Sequence, residues 1–277
     1  MRKAPPDVEP TASPDVRPRP ARSSTPVSVP RVKICGITNL EDAELAVELG
    51  AWTLGMIFYE RSPRRCSPAE AQRIAARLRR DVQVCGVFVN APLDQVIQTS
   101  EELGLTMLQF HGDEGPSYCA EAARRTGARV IKAAQVSGPG DVRDLERFHV
   151  DFHLLDARAA SPDHDQGRRS LRGGTGETFD WTLLAARRST IPLILSGGLT
   201  AENVAGAIAV GHPYAVDTAS GTEAAPGHKD PERLRAFFDA TAATGRADAA
   251  EQAGEPSTVR TAASDPAESP VSSGSRA

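Results

Sequence analysis

Between residues 31 and 243, short runs rich in β-branched and aliphatic residues alternate with longer stretches whose apolar positions recur every three or four residues. The short runs predict strands at 32–35, 52–58, 82–89, 105–110, 128–133, 152–156, 192–196 and 214–217. Helical patterns open near Asn39, Ser67, Pro92, Pro116, Asp141, Asp180, Thr200 and Asp230. Ser67-Pro68-Ala69-Glu70 has the form of a capping box with proline at the first helical position. Strands each followed by a helix, eight times over, predict an α/β fold closed into a (β/α)8 barrel. The alternative is an open doubly wound sheet. Its first strand would be followed by a Gly-x-Gly-x-x-Gly turn, and none follows Val32–Cys35.

The flanks lack this periodicity. Residues 1–30 hold Pro5, Pro6, Pro10, Pro14, Pro18, Pro20, Pro26 and Pro30 with few bulky apolar residues between them; residues 244–277 are mostly Ala, Ser, Glu, Gly and Pro. Neither stretch buries enough apolar surface to offset its ordering entropy, so both are expected to be disordered tails around a single domain at 31–243.

Charge and cysteine usage narrow the setting. A net charge of −4 over 277 residues gives no reason to expect nucleic acid or an anionic membrane as partner. No apolar stretch approaches the ~20 residues of a membrane span. The amino terminus has no apolar signal core, and Asp7, Glu9 and Asp15 argue against a transit peptide. Cys35, Cys66, Cys85 and Cys119 lie scattered, without the spacing of a zinc site or a disulfide framework. A cytoplasmic protein is expected, as a monomer, since no additional apolar surface segment stands out. Lysine is scarce: of 32 basic residues only Lys3, Lys33, Lys132 and Lys229 are lysines.

In a barrel of this type, chemistry gathers where strands end. Alternation along Val32-Lys33-Ile34-Cys35 turns the aliphatic pair towards the helices and Lys33 and Cys35 towards the barrel axis. A lysine charge ~6 Å from the thiol would favour its thiolate by roughly 2–3 kcal/mol at an effective dielectric of about 20, with desolvation opposing. At the end of the sixth strand Asp156 faces inward by the same rule, either as a loop cap or as a second acid–base group. Glycine-rich turns follow the sixth, seventh and eighth strands: Gly173-Gly174-Thr175-Gly176, Ser196-Gly197-Gly198 and Ser220-Gly221. The last two lie where such barrels commonly bind phosphate through backbone N–H groups.

Taken in order, Lys33-Ile34-Cys35-Gly36-Ile37-Thr38, Gly55-Met56-Ile57-Phe58 with Ser62-Pro63-Arg64, Leu108-Gln109-Phe110-His111-Gly112-Asp113-Glu114, Leu154-Leu155-Asp156, the 173–176 turn with Phe179-Asp180-Trp181, Leu195-Ser196-Gly197-Gly198-Leu199 with Glu202-Asn203-Val204, and Val216-Asp217 with Ser220-Gly221 and Glu223 resemble the motifs of phosphoribosylanthranilate isomerases. The resemblance covers the whole predicted domain and neither tail. It implies an Amadori rearrangement in tryptophan biosynthesis, converting N-(5-phosphoribosyl)anthranilate to 1-(2-carboxyphenylamino)-1-deoxyribulose 5-phosphate. It also implies Asp156 as the acid that opens the furanose ring and Cys35 as the base at C2. Arg64 would then pair with the anthranilate carboxylate, Asp217 and His111 would lie near the sugar, and Lys33 would give electrostatic support. Gly197, Gly198, Ser220 and Gly221 would hold the phosphate. No metal and no organic cofactor are implied; the partner is a small phosphosugar.

Two departures accompany the resemblance. Asp217-Thr218-Ala219-Ser220-Gly221-Thr222-Glu223 carries threonine and alanine where the family usually has valine and serine, and threonine where it has valine before the glutamate. The segment 157–172 is long and charged, and is expected to be a mobile loop over the substrate. His164 with Asp163 and Asp165 there does not have the form of a metal cluster. Other readings are a different phosphosugar barrel enzyme, whose first strand would end in aspartate or whose strand ends would carry a lysine–glutamate set, and a non-catalytic phosphate-binding barrel.

Overall fold

The computed structural model describes residues 29–156, 184 and 187–254. Eight parallel strands close on themselves in chain order: β1 (Arg31–Cys35), β2 (Thr53–Ile57), β3 (Gln83–Phe88), β4 (Met107–Phe110), β5 (Arg129–Gln135), β6 (Phe152–Asp156), β7 (Leu193–Ser196) and β8 (Ala215–Thr218). Closure is made by β1 pairing with both β2 and β8, which sets Lys33 opposite Thr53 on one side and Asp217 on the other.

Seven described helices accompany them: α1 (Leu40–Glu48), α2 (Pro68–Leu78), α3 (Leu93–Leu103), α4 (Pro116–Thr126), α5 (Pro139–Leu145), α6 (Val204–Gly211) and α7 (Pro231–Gly254). Caps explain several starts. Asn39 accepts from the Asp42 N–H at 2.8 Å, and Ser67 accepts from the Glu70 N–H at 3.2 Å, with Pro68 at the first position. Glu70 does not close the predicted box; its carboxylate takes Arg73 at 2.6 Å.

Three predicted boundaries move. α5 begins at Pro139 rather than Asp141, because Asp141 folds back to accept the Ser137 and Gly138 N–H groups at 2.8 and 3.0 Å. α6 begins at Val204, after a turn in which Asn203 accepts the Thr200 N–H at 2.8 Å. α7 runs past the expected domain end at 243 to Gly254, through an alanine-rich stretch of strong helix formers. The helix expected near Asp180, the Gly173–Gly176 turn, the 157–178 loop and most of both tails lie outside the described residues.

The alternation of strand residues divides the interior into two apolar layers. Val32, Ile34 and Leu155 belong to the layer between barrel and helices, whereas Cys35, Leu154, Met107, Ile131 and Ile194 fill the barrel itself. At its amino-terminal end the barrel is closed by Trp52, Phe152 and Tyr214, whose rings pack 5.4–5.5 Å apart. The Arg31 guanidinium lies 5.0 Å from the Tyr214 ring centre, and that of Arg129 lies 5.5 Å from Phe152.

One element was not anticipated. After β8 a 3-10 turn (Ser220–Thr222) leads into a small antiparallel hairpin, β9 (Glu223–Ala225) and β10 (His228–Lys229). The hairpin folds back over the end of β1: the Thr38 hydroxyl donates to the Gly227 carbonyl, and the Lys229 N–H donates to Asp42 at 2.8 Å.

Candidate active site

Strands that end at one rim deliver their last inward residues to one cavity. Of the ten site residues expected from sequence, eight line it: Cys35, Arg64, His111, Asp156, Gly197, Gly198, Asp217 and Ser220. Lys33 lies beneath the floor, fully buried, and Gly221 sits behind the wall.

Lys33 does not act on Cys35 alone. Its ammonium donates to Asp217 at 2.8 Å, and Asp217 also accepts the Ser196 hydroxyl at 2.9 Å. Burial works against the lysine charge, but Asp217 and the thiols of Cys35 and Cys85 more than compensate, so its pKa is raised. Burial pushes the Cys35 thiol up; Lys33 pulls it down, Asp217 opposes that pull, and the net shift is upward. The sequence-based expectation of a lysine-stabilised thiolate is therefore corrected. Burial is the largest cause, and the Asp217 carboxylate that pairs with Lys33 adds to it.

Gly55 makes this packing possible. It stands opposite Cys35 on one side and Cys85 on the other. A Cβ there would come within 3.1 Å of the Cys35 sulfur and 3.2 Å of the Lys33 Nζ. Glycine leaves the room that both side chains occupy. Cys85, also fully buried, has its thiol pushed up to about 12 by burial.

Across the mouth, Asp156 Oδ2 lies 3.3 Å from His111 Nε2. Gln109, part of a quoted motif but not singled out as a site residue, has its side-chain amide 3.2 Å from His111 Nδ1. Gln109 is buried, and its Oε1 has no partner among the described residues.

The third wall comes from the turns after β7 and β8. Gly197 and Gly198 adopt φ of +98° and +65°, which L side chains rarely accept, and so expose backbone to the cavity. Gly221 is glycine for another reason: a Cβ there would meet the Leu199 carbonyl oxygen at 1.9 Å, so the two turns abut backbone to backbone. One departure from the resembled pattern serves that contact, and another braces its own turn. Thr218 donates to the Leu199 carbonyl at 2.8 Å, and Thr222 donates to the Ala219 carbonyl at 3.1 Å.

On the fourth side Arg64, from the loop after β2, is held by Glu223 through Nε (2.8 and 2.9 Å) and Nη2 (2.8 Å). Lys229 backs that carboxylate at 3.4 Å and donates to the carbonyls of Cys35 (2.8 Å) and Ala219 (2.9 Å). Neither Glu223 nor Lys229 was singled out as a site residue from sequence. The available signal was that Lys229 is one of only four lysines.

Among the described residues no group of three or more His, Cys, Asp or Glu side chains converges as a metal site. The arrangement instead offers a thiol and a carboxylate on one cavity, a cationic fork, and a glycine-lined wall.

The model of the PRAI family, N-(5'phosphoribosyl)anthranilate (PRA) isomerase, matches residues 32–240. The chain belongs to this family. An N-(5'-phosphoribosyl)anthranilate isomerase of Pelobacter propionicus is 45% identical over 208 residues, covering 75% of this chain and 93% of its own. That of Rubrobacter xylanophilus is 43% identical over 211 residues, covering 76% and 98%. Among solved structures, the phosphoribosyl anthranilate isomerase of Thermotoga maritima superposes with a TM-score of 0.66 at 41% identity, covering 77% of this chain and 99% of that one. As a member of the PRA isomerase family the chain is an enzyme of tryptophan biosynthesis, an isomerase on a (β/α)8 barrel.

Proposed function

We propose that Cys35 and Asp156 carry the two proton transfers by which this enzyme isomerises N-(5-phosphoribosyl)anthranilate to 1-(2-carboxyphenylamino)-1-deoxyribulose 5-phosphate. The observation that carries the assignment is their convergence on one cavity from β1 and β6, strands three places apart around the closed barrel. A related phosphoribosyl anthranilate isomerase, 39% identical with a TM-score of 0.64 and covering 77% of this chain and 99% of its own, has been solved with reduced 1-(o-carboxyphenylamino)-1-deoxyribulose 5-phosphate bound.

Protonated Asp156 delivers its proton to the furanose ring oxygen. The C1–O bond breaks and the anilino nitrogen supplies the electron pair of a protonated Schiff base. Cys35, as thiolate, then removes the proton at C2, and the electrons of that bond flow into the iminium to give an enolamine. Protonation at C1 with loss of the C2 hydroxyl proton completes the ketone. No electrons enter or leave, so acid–base groups suffice. The raised thiol fits this order of events: the iminium cation arises next to C2 and favours the thiolate only once the ring is open.

Arg64 takes the anthranilate carboxylate, a planar group that matches its fork. Gly197, Gly198 and Ser220 receive the phosphate, and Gly221 keeps their two turns in contact. Asp217 holds Lys33 beneath the base, and His111 steadies Asp156. The cytoplasm is the compartment this reading expects. The four cysteines, all free in the structure, support it. Among the described residues no helix is long and apolar enough to cross a membrane. The reading also takes the chain as a monomer; Val29 and Val210 are the large apolar side chains left exposed among the described residues.

The direct test is the loss of anthranilate-adduct fluorescence when protein is added to N-(5-phosphoribosyl)anthranilate. Wild type is expected to consume the adduct, while folded Cys35→Ala and Asp156→Asn leave it nearly untouched. Normal turnover by Cys35→Ala would show that the base is another group.

A further inference from the structure

A guanidinium has two edges able to grip a carboxylate, one made by Nε and Nη2, the other by Nη1 and Nη2. In this protein Glu223 occupies the first. Its two oxygens take Arg64 Nε at 2.8 and 2.9 Å and Nη2 at 2.8 Å. Among the described residues nothing engages Nη1 by a hydrogen bond, and Arg64 lines the cavity. Glu223 in turn is almost fully buried and anchored at several points: Lys229 Nζ stands 3.4 Å from its Oε1, the Gly227 N–H donates to the same oxygen at 3.3 Å, and Arg233 donates to its backbone carbonyl at 2.6 Å. A flexible arginine on a loop is thus bolted to the hairpin after β8 by its Nε/Nη2 edge.

We propose that Glu223 is a positioning residue for the carboxylate clamp: it consumes the inner edge of Arg64 so that only the Nη1/Nη2 edge is offered to the ligand, in one fixed orientation. Lys229 ties this clamp to the base, because the same ammonium that backs Glu223 also holds the main-chain carbonyl of Cys35 at 2.8 Å and that of Ala219, beside the phosphate turn, at 2.9 Å. One buried lysine therefore fixes the relative position of base, clamp and phosphate wall. The Glu223 carboxyl is well suited to this. Burial alone would raise it, but the Arg64 hydrogen bonds and the Lys229 charge hold it below the usual carboxylate range, so it stays ionised. Preorganising a long side chain lowers the entropy lost when the ligand binds, and the gain is confined to ligands that use the fork.

The inference rests on Arg64 being the carboxylate receptor, so its test separates the two. Catalytic constants are measured for N-(5-phosphoribosyl)anthranilate and for the analogue with aniline in place of anthranilate, which lacks the carboxylate, in wild type and in Arg64→Met, Glu223→Gln and Glu223→Asp. Glu223→Gln keeps the size of the side chain and removes its charge. It is expected to raise KM for the carboxylate-bearing substrate about tenfold or more, with kcat largely kept, the loss of one charge-assisted contact. The aniline analogue should be turned over as before, and Glu223→Asp should recover part of the loss. If Glu223→Gln slows both substrates equally, or neither, while Arg64→Met abolishes the preference for the carboxylate, the positioning role is overturned and the clamp stands. If Arg64→Met leaves the preference intact, the clamp itself falls and the role of Glu223 with it.

Discussion

The two ends of the barrel interior obey the same inward–outward alternation and are filled in opposite ways. At the amino-terminal end Trp52, Phe152 and Tyr214 interlock, and the arginines there lie over ring faces. Towards the carboxyl-terminal end, inward positions of the barrel strands carry Lys33, Cys35, Gln109, Asp156, Ser196 and Asp217, joined by polar contacts instead of ring contacts. A rigid apolar plug at one end lets the other hold buried charge and a space that apolar side chains would otherwise fill. Stability and chemistry are thus separated along one axis, about a strand's length apart.

That separation can be broken from either side. The largest effect is expected at the upper end: Cys35→Ala and Asp156→Asn should each lower kcat/KM by about 10²–10⁴-fold with little change in melting temperature, since each removes a proposed proton carrier and leaves the plug intact. An equal loss of activity and stability would place these residues in the core instead. At the lower end Phe152→Ala should cost about 3–5 kcal/mol in denaturant unfolding while the folded fraction keeps its kcat. A fall in kcat measured on that folded fraction would show that the ends are coupled. Next comes Lys33→Met, which removes the group that pulls the Cys35 thiol down. Because that pKa is already above its ordinary value, alkylation of Cys35 by iodoacetamide should accelerate as pH rises and the thiolate forms, and the variant's rising limb should move to higher pH. A limb that stays in place would mean that a different group titrates. The smallest effect is expected from Thr218→Val, which removes one hydrogen bond to Leu199, worth about 1 kcal/mol, and should weaken inorganic phosphate inhibition several-fold without touching kcat.

How much of this was legible depended on range in sequence. The strands, and the inward aim of Cys35 and Asp156, follow from a period of two, which is local. Gly197 and Gly198 were legible as a turn for the same reason. The balance at the thiol was not, because it depends first on how completely closure of the barrel buries Cys35, and then on Asp217, which is 184 residues from Lys33 and meets it only through that closure. Arg64 and Glu223 are 159 residues apart, and the hairpin that carries Glu223 and Lys229 is too short to announce itself by periodicity. The scarcity of lysine was the one hint: Lys33, Lys132 and Lys229 are all buried, each in an ion pair. A lysine retained against that bias, in a chain that uses arginine on its surface, was a mark of an interior cation.

The most direct measurement follows the proton at C2. With N-(5-phosphoribosyl)anthranilate deuterated at that carbon, wild type should release the label to water as it forms product, whereas folded Cys35→Ala should leave both label and adduct fluorescence in place. Release of the label by Cys35→Ala at the wild-type rate would contradict the assignment of the thiol as the base.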